Sequence, residues 1–262
     1  MKYTLITGAS SGLGREFAIQ CARMGMHIIL IALPGGNTAS LAEQLMLEYR
    51  VDVRVYEFDL TDTDELRSNM DDIIANYPVN FLINNAGIGG TAAITDASLE
   101  KIDQIILLNV RSTALITRLL IPHMLQHEKS FIMNISSMAA FTPIAYKTVY
   151  PASKAFISVF SLGLKEELAG TSLSVSVVYP GPILTNSGTS RRIISQGLKG
   201  KMGLIPTHEI ARKAIRMTLA GYPVIIPGAM NRISHFLMQL LPTGVKLRLV
   251  SREVKKEISY SI

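Results

Sequence analysis

The chain holds a single cysteine, Cys21, among its 262 residues. No intramolecular disulfide can form, which excludes the disulfide-stapled secreted class and fits a reducing compartment, the cytoplasm. Charge is also sparse, at 18% against 48% hydrophobic residues. A chain of that make-up has material for a large core and is not a disordered one. Met1 to Gly8 lacks an apolar run of the kind a secretory signal needs. No apolar run of about 18 residues is free of Gly and Pro, which argues against a conventional transmembrane helix. Acidic residues are scarce at one end only. Residues 1–189 carry 13 Lys+Arg against 17 Asp+Glu, whereas residues 190–262 carry 13 against 3. The net charge of +6 therefore comes wholly from the last 73 residues. Such an asymmetry suggests an anionic partner: a membrane, a nucleic acid or an acidic substrate.

What is present is an alternation. Short β-branched runs at Tyr3–Thr7, His27–Ala32, Val53–Phe58, Phe81–Asn84, Phe131–Ile135, Ser174–Val178 and Val224–Ile226 read as strands. Between them, helical patterns run over Gly12–Gly25, Ala39–Tyr49, Asp64–Asn76, Leu99–Leu125, Ala152–Leu168 and Thr207–Ala220. Continuous apolar strands separated by helices predict an α/β fold, a doubly wound parallel sheet of about seven strands with both faces covered. Ligands of such sheets bind outside the carboxyl ends of the strands, where strand order reverses. The length suits one domain, residues 1–228, followed by an extension over 229–262. Residues 183–203 break the alternation and read as a functional lid. Its Arg191, Arg192, Lys199 and Lys201 would suit an acidic handle on the substrate.

Three local patterns point to chemistry. Thr7-Gly8-Ala9-Ser10-Ser11-Gly12-Leu13-Gly14 joins the first strand to the first helix. Gly8 permits a tight turn, Gly12 lets backbone N–H groups approach a pyrophosphate, and Gly14 allows close packing of helix on sheet. The spacing is neither GxGxxG nor a P-loop, and a Gly/Ser-rich turn before a helix is often only a turn. Asn84-Asn85-Ala86-Gly87 ends the fourth strand, with an Asx-type turn as the plainer reading. Tyr150-Pro151-Ala152-Ser153-Lys154 places Tyr150 and Lys154 four residues apart on one face of a first helical turn. A free phenol, with a pKa of about 10, is a poor base near neutrality, and an adjacent ammonium lowers that value. Ser137, beyond the fifth strand, can hydrogen-bond a carbonyl or alcohol oxygen, but a Tyr-x-x-x-Lys pair taken alone reads more plainly as a surface pair.

Taken in order, TGASSGLG (Thr7–Gly14), Asp59-Leu60, NNAG (Asn84–Gly87), Asn109, NISS (Asn134–Ser137), YPASK (Tyr150–Lys154) and YPGPILT (Tyr179–Thr185) resemble the classical short-chain dehydrogenase/reductase family over residues 1 to about 228. The resemblance implies a Rossmann-type oxidoreductase using NAD or NADP on a carbonyl or secondary alcohol. It implies Tyr150 as general acid/base. Lys154 would lower the Tyr150 pKa and hold the nicotinamide ribose. Ser137 would orient the substrate oxygen, and Asn109 would support a water linking Lys154 to solvent. It further implies a dinucleotide held by Gly8, Ser10, Ser11, Gly12, Leu13, Gly14, Leu33, Asp59, Leu60, Asn85, Ala86, Gly87, Asn109, Tyr150, Lys154, Pro180, Gly181, Ile183 and Thr185. One departure bears on cofactor choice. The end of the second strand offers Ala32 and Leu33, neither the acid of NAD users nor the Arg of many NADP users. A missing carboxylate removes repulsion of a 2′-phosphate, and Gly35, Gly36, Asn37 and Thr38 offer donors. The expectation is NADP. The reading from another class is a dinucleotide-binding sensor or scaffold without turnover.

Other features carry less. His123 and His127 stand i, i+4 but have no HExxH pattern or third ligand, so an exposed helix end is expected and no metal. Asp71-Asp72 and Glu166-Glu167 read as solvated surface. Asn134-Ile135-Ser136 matches a glycosylation sequon but falls on a predicted core strand. Cys21 reads as a small core residue. Phe156, Val159, Phe160, Gly163 and Leu164 form an apolar stripe on the helix of Lys154, wide enough to serve the sheet and a subunit interface, so a homo-oligomer is expected.

In the extension, Ile233, Phe236, Leu237, Leu240 and Leu241 recur at helical spacing, and Lys246, Arg248, Arg252, Lys255 and Lys256 follow. Two readings stand: a cap on the cleft or a partner subunit, and an interfacial anchor on anionic lipid that adds a peripheral membrane contact to a cytoplasmic protein. Nucleic acid is not expected, since no aromatic platform supports it.

Overall fold

The computed structural model describes residues 1–183 and 204–259. Seven strands form one parallel sheet: β1 (Tyr3–Thr7), β2 (His27–Ala32), β3 (Val53–Glu57), β4 (Val79–Asn84), β5 (Ser130–Ile135), β6 (Leu173–Val178) and β7 (Val224–Ile225). Their order is β3-β2-β1-β4-β5-β6-β7, so the winding reverses between β1 and β4. The carboxyl ends of these two strands carry Thr7 and Asn84, which places the crevice at the Gly-rich turn and the NNAG loop.

The sheet is apolar on both faces because successive strand residues point opposite ways. Ile6, Ile28, Leu30, Ile83 and Met133 pack in one cluster with α1 (Gly12–Arg23), α2 (Thr38–Tyr49) and α7 (Thr207–Leu219). Leu5, Ile29, Ile31, Leu82 and Ile132 pack in the other with α3 (Thr63–Asn76), α5 (Thr113–Met124) and α6 (Val149–Glu167). Cys21 is fully buried in the first cluster.

The long helix expected over Leu99–Leu125 is α4 (Leu99–Ile106), a π-helical turn (Leu107–Ser112) and α5. Over Leu99–Met124 it is long and apolar enough to cross a membrane by length and composition. Its Ile116, Leu120 and Met124 are spent on the sheet. His123 is not a bare helix end: its Nε2 accepts the Val79 amide at 3.1 Å, and its ring meets that of His127 edge-on. Beyond β7 come α8 (Ala229–Leu240) and α9 (Thr243–Ser259).

Candidate active site

The Gly-rich turn is shaped by close approach. Gly8 and Gly12 have φ of +66° and +54°, a region that side chains with a Cβ rarely adopt. At Gly14 a Cβ would stand 2.0 Å from the Gly8 carbonyl oxygen. Asn85 holds the turn in place. Its Nδ2 donates to the Thr7 and Gly8 carbonyls, at 3.0 and 3.2 Å, and the Asn85 and Ala86 amides both donate to Thr7 Oγ1 at 3.0 Å. α1 then begins after Ser11, whose side chain makes no cap, so its first amides remain open to an anionic group. Leu13 and Leu60 are buried in the two clusters, and only their backbones can serve a ligand. Asp59 Oδ1 accepts the Thr61 amide at 2.8 Å and closes the turn after β3.

At the end of β2, Ala32 is buried and Leu33 exposed. A Cβ at Gly36 would stand 3.0 Å from Ser10 Cβ and 3.4 Å from Thr38 Oγ1. Thr38 is wholly buried at the start of α2, yet its hydroxyl has no hydrogen-bond partner. Asn37, before it, makes no side-chain cap. A buried hydroxyl without a partner beside a free helix N-terminus fits an anionic oxygen of a bound group. The glycine cradle and this orphan hydroxyl together fit a dinucleotide.

The reacting groups converge past β4 and β5. α6 begins at Val149, three residues earlier than expected, so Tyr150 and Lys154 both lie within its first turns. Pro151 is tolerated there because the first helical amides have no intrahelical acceptor. Lys154 is buried, and its Nζ donates to the Ile135 carbonyl at 2.8 Å. Burial pulls its pKa down to about 8. Ser136 Oγ donates to the Lys154 carbonyl at 2.7 Å, fixing α6 to the end of β5.

Burial raises the Tyr150 phenol, and a hydrogen bond with Ser137 works the other way. A buried ammonium needs an acceptor, and the Ile135 carbonyl supplies it. Ser137 also accepts the Ala139 amide at 3.1 Å, starting a 3-10 turn over Met138–Phe141.

Asn109 sits in the π-helical turn. Its Oδ1 accepts the Ile88 amide and its Nδ2 donates to the Ile88 carbonyl and to Ser153 Oγ, each at 2.9 Å. It holds the loop after β4 against α6. Gly87 lies directly over this pair, where a Cβ would be 3.0 Å from Asn109 Oδ1 and 3.4 Å from Lys154 Nζ.

Pro180 is buried and its carbonyl accepts the Met138 amide at 3.0 Å. Ile183 packs on the first cluster. Thr185, with Arg191, Arg192, Lys199 and Lys201 of the expected lid, lies outside the described residues. Among the described residues no cluster of His, Cys, Asp and Glu could hold a metal. An open cavity of about 300 Å³ lined by Met1, Lys2, Thr4, Gly25 and others lies away from this cluster, at the opposite strand ends.

Sequence reasoning missed a buried row of amides and hydroxyls and the Ser153 partner of Asn109. Asn84 Nδ2 donates to Thr117 Oγ1 at 3.0 Å and to Asn134 Oδ1 at 2.8 Å, and Asn134 Nδ2 donates to Ser161 Oγ at 2.9 Å. Asn134 is thereby a buried core residue and no glycosylation site. Ser153 receives Asn109 as described. The extension also reaches the site: the His235 and Phe141 rings lie 4.0 Å apart, Ser251 Oγ accepts the Ala145 amide at 3.0 Å, and a Cβ at Gly181 would meet Asn231 at 2.6 Å. A cap on the cleft was one of the two readings that the sequence left standing for this segment.

The family model of short chain dehydrogenases matches residues 2–193. The very-long-chain 3-oxoacyl-CoA reductase of Anas platyrhynchos is 32% identical over 70% of this chain and 60% of its own. An L-xylulose reductase of Caenorhabditis elegans is 34% identical over 71% and 74%. The chain spans about half of the first matching reductase, from Laccaria bicolor, at 52%. Among solved structures, a short-chain dehydrogenase from Sphingobium yanoikuyae in complex with NADPH superposes with a TM-score of 0.78 at 27% identity, covering 92% of this chain and 97% of that one. With the glycine turn, the Asn85 clamp and the Ser137, Tyr150, Lys154 and Asn109 cluster at the strand ends, the chain belongs to the short chain dehydrogenase family.

Proposed function

We propose that the protein is an NADP-dependent oxidoreductase that interconverts a carbonyl compound and its secondary alcohol, with Tyr150 as general acid/base. The observation that carries this reading is the meeting of Ser137, Tyr150 and a buried Lys154 past the strand ends, with Lys154 Nζ held on the Ile135 carbonyl two residues before Ser137. Two hydroxyls so placed can both address one substrate oxygen. Ser137 holds that oxygen and steadies its developing charge. Burial keeps the Tyr150 phenol protonated near neutrality, so it enters reduction as the acid and delivers its proton to the oxygen. In oxidation it takes that proton back. Lys154, charged below about pH 8, supplies positive charge at the foot of the site. When bound, the nicotinamide supplies or accepts the hydride. The intact set of four groups speaks against a binding-only sensor.

Preference for NADP rests on Ala32 and Leu33, which set no carboxylate against a 2′-phosphate, and on the unpartnered Thr38 hydroxyl beside Ser10 and Gly36. The named relatives act on compounds as different as a very-long-chain 3-oxoacyl-CoA and L-xylulose, so they support the reacting group rather than one substrate. We read the exposed outer side of α6, with Val159 at 73% exposure and stacked Phe156 and Phe160, as the contact with a second copy. The single buried cysteine is in keeping with a cytoplasmic protein. Turnover of a panel of ketones and secondary alcohols with NADPH and NADH tests the reading. Binding of either nucleotide without turnover of any member would return the sensor.

A further inference from the structure

The extension has two sides, and only one is used by the fold. On the inner side of α8, Asn231 is buried against Gly181 and donates to the Pro227 carbonyl at 2.9 Å, and His235 lies on Phe141. α9 is tied through Ser251 to Ala145 and buries Val254. These contacts fix the extension beside the loop that follows Ser137. The outer side of α8 presents Met230, Ile233, Phe236, Leu237 and Leu240, between 48% and 67% exposed. Val245 and Leu249 of α9 are also exposed. A contiguous apolar face of this extent on a folded chain marks a contact surface.

Charge selects the occupant. Residues 229–259 hold Arg232, Lys246, Arg248, Arg252, Lys255 and Lys256 against Glu253 and Glu257, an excess of four positive charges. Arg232, Arg248 and Arg252 are exposed. Two copies meeting on this face would bring two net-positive rims together, which is repulsive. An anionic bilayer satisfies both elements at once: the aliphatic side chains and Phe236 enter the acyl boundary while the basic rim meets the headgroups.

We propose that the outer face of α8, with its basic rim, docks the protein on an anionic lipid surface, and that the substrate is a carbonyl compound carried in that bilayer. The second clause rests on the oxidoreductase reading above. Docking would bring the mouth of the site to the lipid, because the reverse side of the same helix touches Phe141, four residues beyond Ser137.

The test uses the full chain, the double variant Ile233→Glu/Leu237→Glu and the double variant Arg248→Gln/Arg252→Gln. Each is sedimented with phosphatidylcholine vesicles with and without phosphatidylserine. Turnover is measured on a long-chain alkyl ketone dissolved in the vesicles and on a water-soluble ketone without them. The expected result is wild-type binding to phosphatidylserine vesicles only, weakened by salt, and a loss of roughly tenfold or more in each variant. Turnover of the dissolved ketone falls with binding, while that of the water-soluble ketone is unchanged. Absence of wild-type binding, unchanged binding in the variants, or a wild-type dimer that the Glu variant dissociates would overturn the docking. Binding that leaves turnover of the dissolved ketone unaffected, or an equal fall on both ketones, would overturn the substrate assignment. Should no ketone be turned over at all, the oxidoreductase reading falls, while sedimentation still decides the docking.

Discussion

Asn109 and Ser153 are joined by a 2.9 Å hydrogen bond that ties the π-helical turn to the helix bearing Tyr150 and Lys154. The other atoms of the Asn109 amide are spent on the backbone of Ile88. Asn109→Leu leaves the part-buried Ile88 amide and carbonyl to find other partners, at about 1–3 kcal/mol each where none is found, while Ser153 Oγ keeps the Tyr150 carbonyl. We expect a lower melting temperature and turnover reduced at least about tenfold, since Ile88 and α6 frame the same site. Unchanged kinetics would assign Asn109 to stability alone.

Tyr150→Phe removes the proton donor and keeps the ring, which lies against Gly89. Turnover should drop by at least about a hundredfold, the usual scale for a general acid/base, with nucleotide binding retained. Near-normal turnover would remove Tyr150 from its role.

Lys154 gives a pH signature. Its pKa falls from 10.5 to about 8 on folding because the charged form is desolvated. Below about pH 8 the ammonium is charged in both states, and its burial cost weighs fully on the fold. Between about 8 and 10.5 the unfolded chain binds the extra proton, so this contribution shifts toward stability as pH rises. Denaturant unfolding of the wild type and of Lys154→Met at pH 7 and pH 10 (about the two ends of the window) should show the variant more stable at pH 7, with the gap narrowing at pH 10. A gap independent of pH would mean that Lys154 does not titrate in this window.

Thr38→Val tests the cofactor site. The hydroxyl is buried without a partner, so its removal should stabilise the unliganded protein by about 1 kcal/mol. Affinity for NADPH should fall about tenfold, or about 1.4 kcal/mol, with NADH little changed. An equal loss for both nucleotides would place the hydroxyl away from the 2′-phosphate.

Two glycines separate close approach from open space. Gly14→Ala drives a Cβ to 2.0 Å from a backbone oxygen, so nucleotide binding should be lost and the fold weakened. Gly163, on the exposed side of α6, has nothing within 4 Å, and Gly163→Ala should stabilise by about 0.5–1 kcal/mol. Calorimetry of the two variants would show opposite shifts, and a destabilised Gly163→Ala would point to a close neighbour on that side of α6.

The strands and the parallel sheet were legible because they rest on local pattern, whereas the Ser137, Tyr150 and Lys154 set was read from a family resemblance and not from spacing. What was not legible depends on distant pairing. Asn84 reads as a turn residue and Asn134 as a sequon until the β4–β5 register sets them opposite each other. His123 reads as a free helix end until Val79 arrives from the neighbouring strand. The π-helical turn around Asn109 leaves the apolar period of the surrounding helix almost unchanged, so composition does not reveal it. The Lys154 ammonium donates to a backbone carbonyl that no side-chain motif records.

The row Thr117, Asn84, Asn134, Ser161 has a mechanical meaning. It crosses β4 and β5 one residue before the chain leaves the sheet toward the Asn85 clamp on one strand, and near the departure toward Ser137 on the other. Sliding one strand by a single residue would turn an amide out of the row and strand its partner without a mate. The Gly-rich turn under the Asn85 clamp and the Ser137 end of β5 are thus indexed to each other like two scales pinned at a common mark.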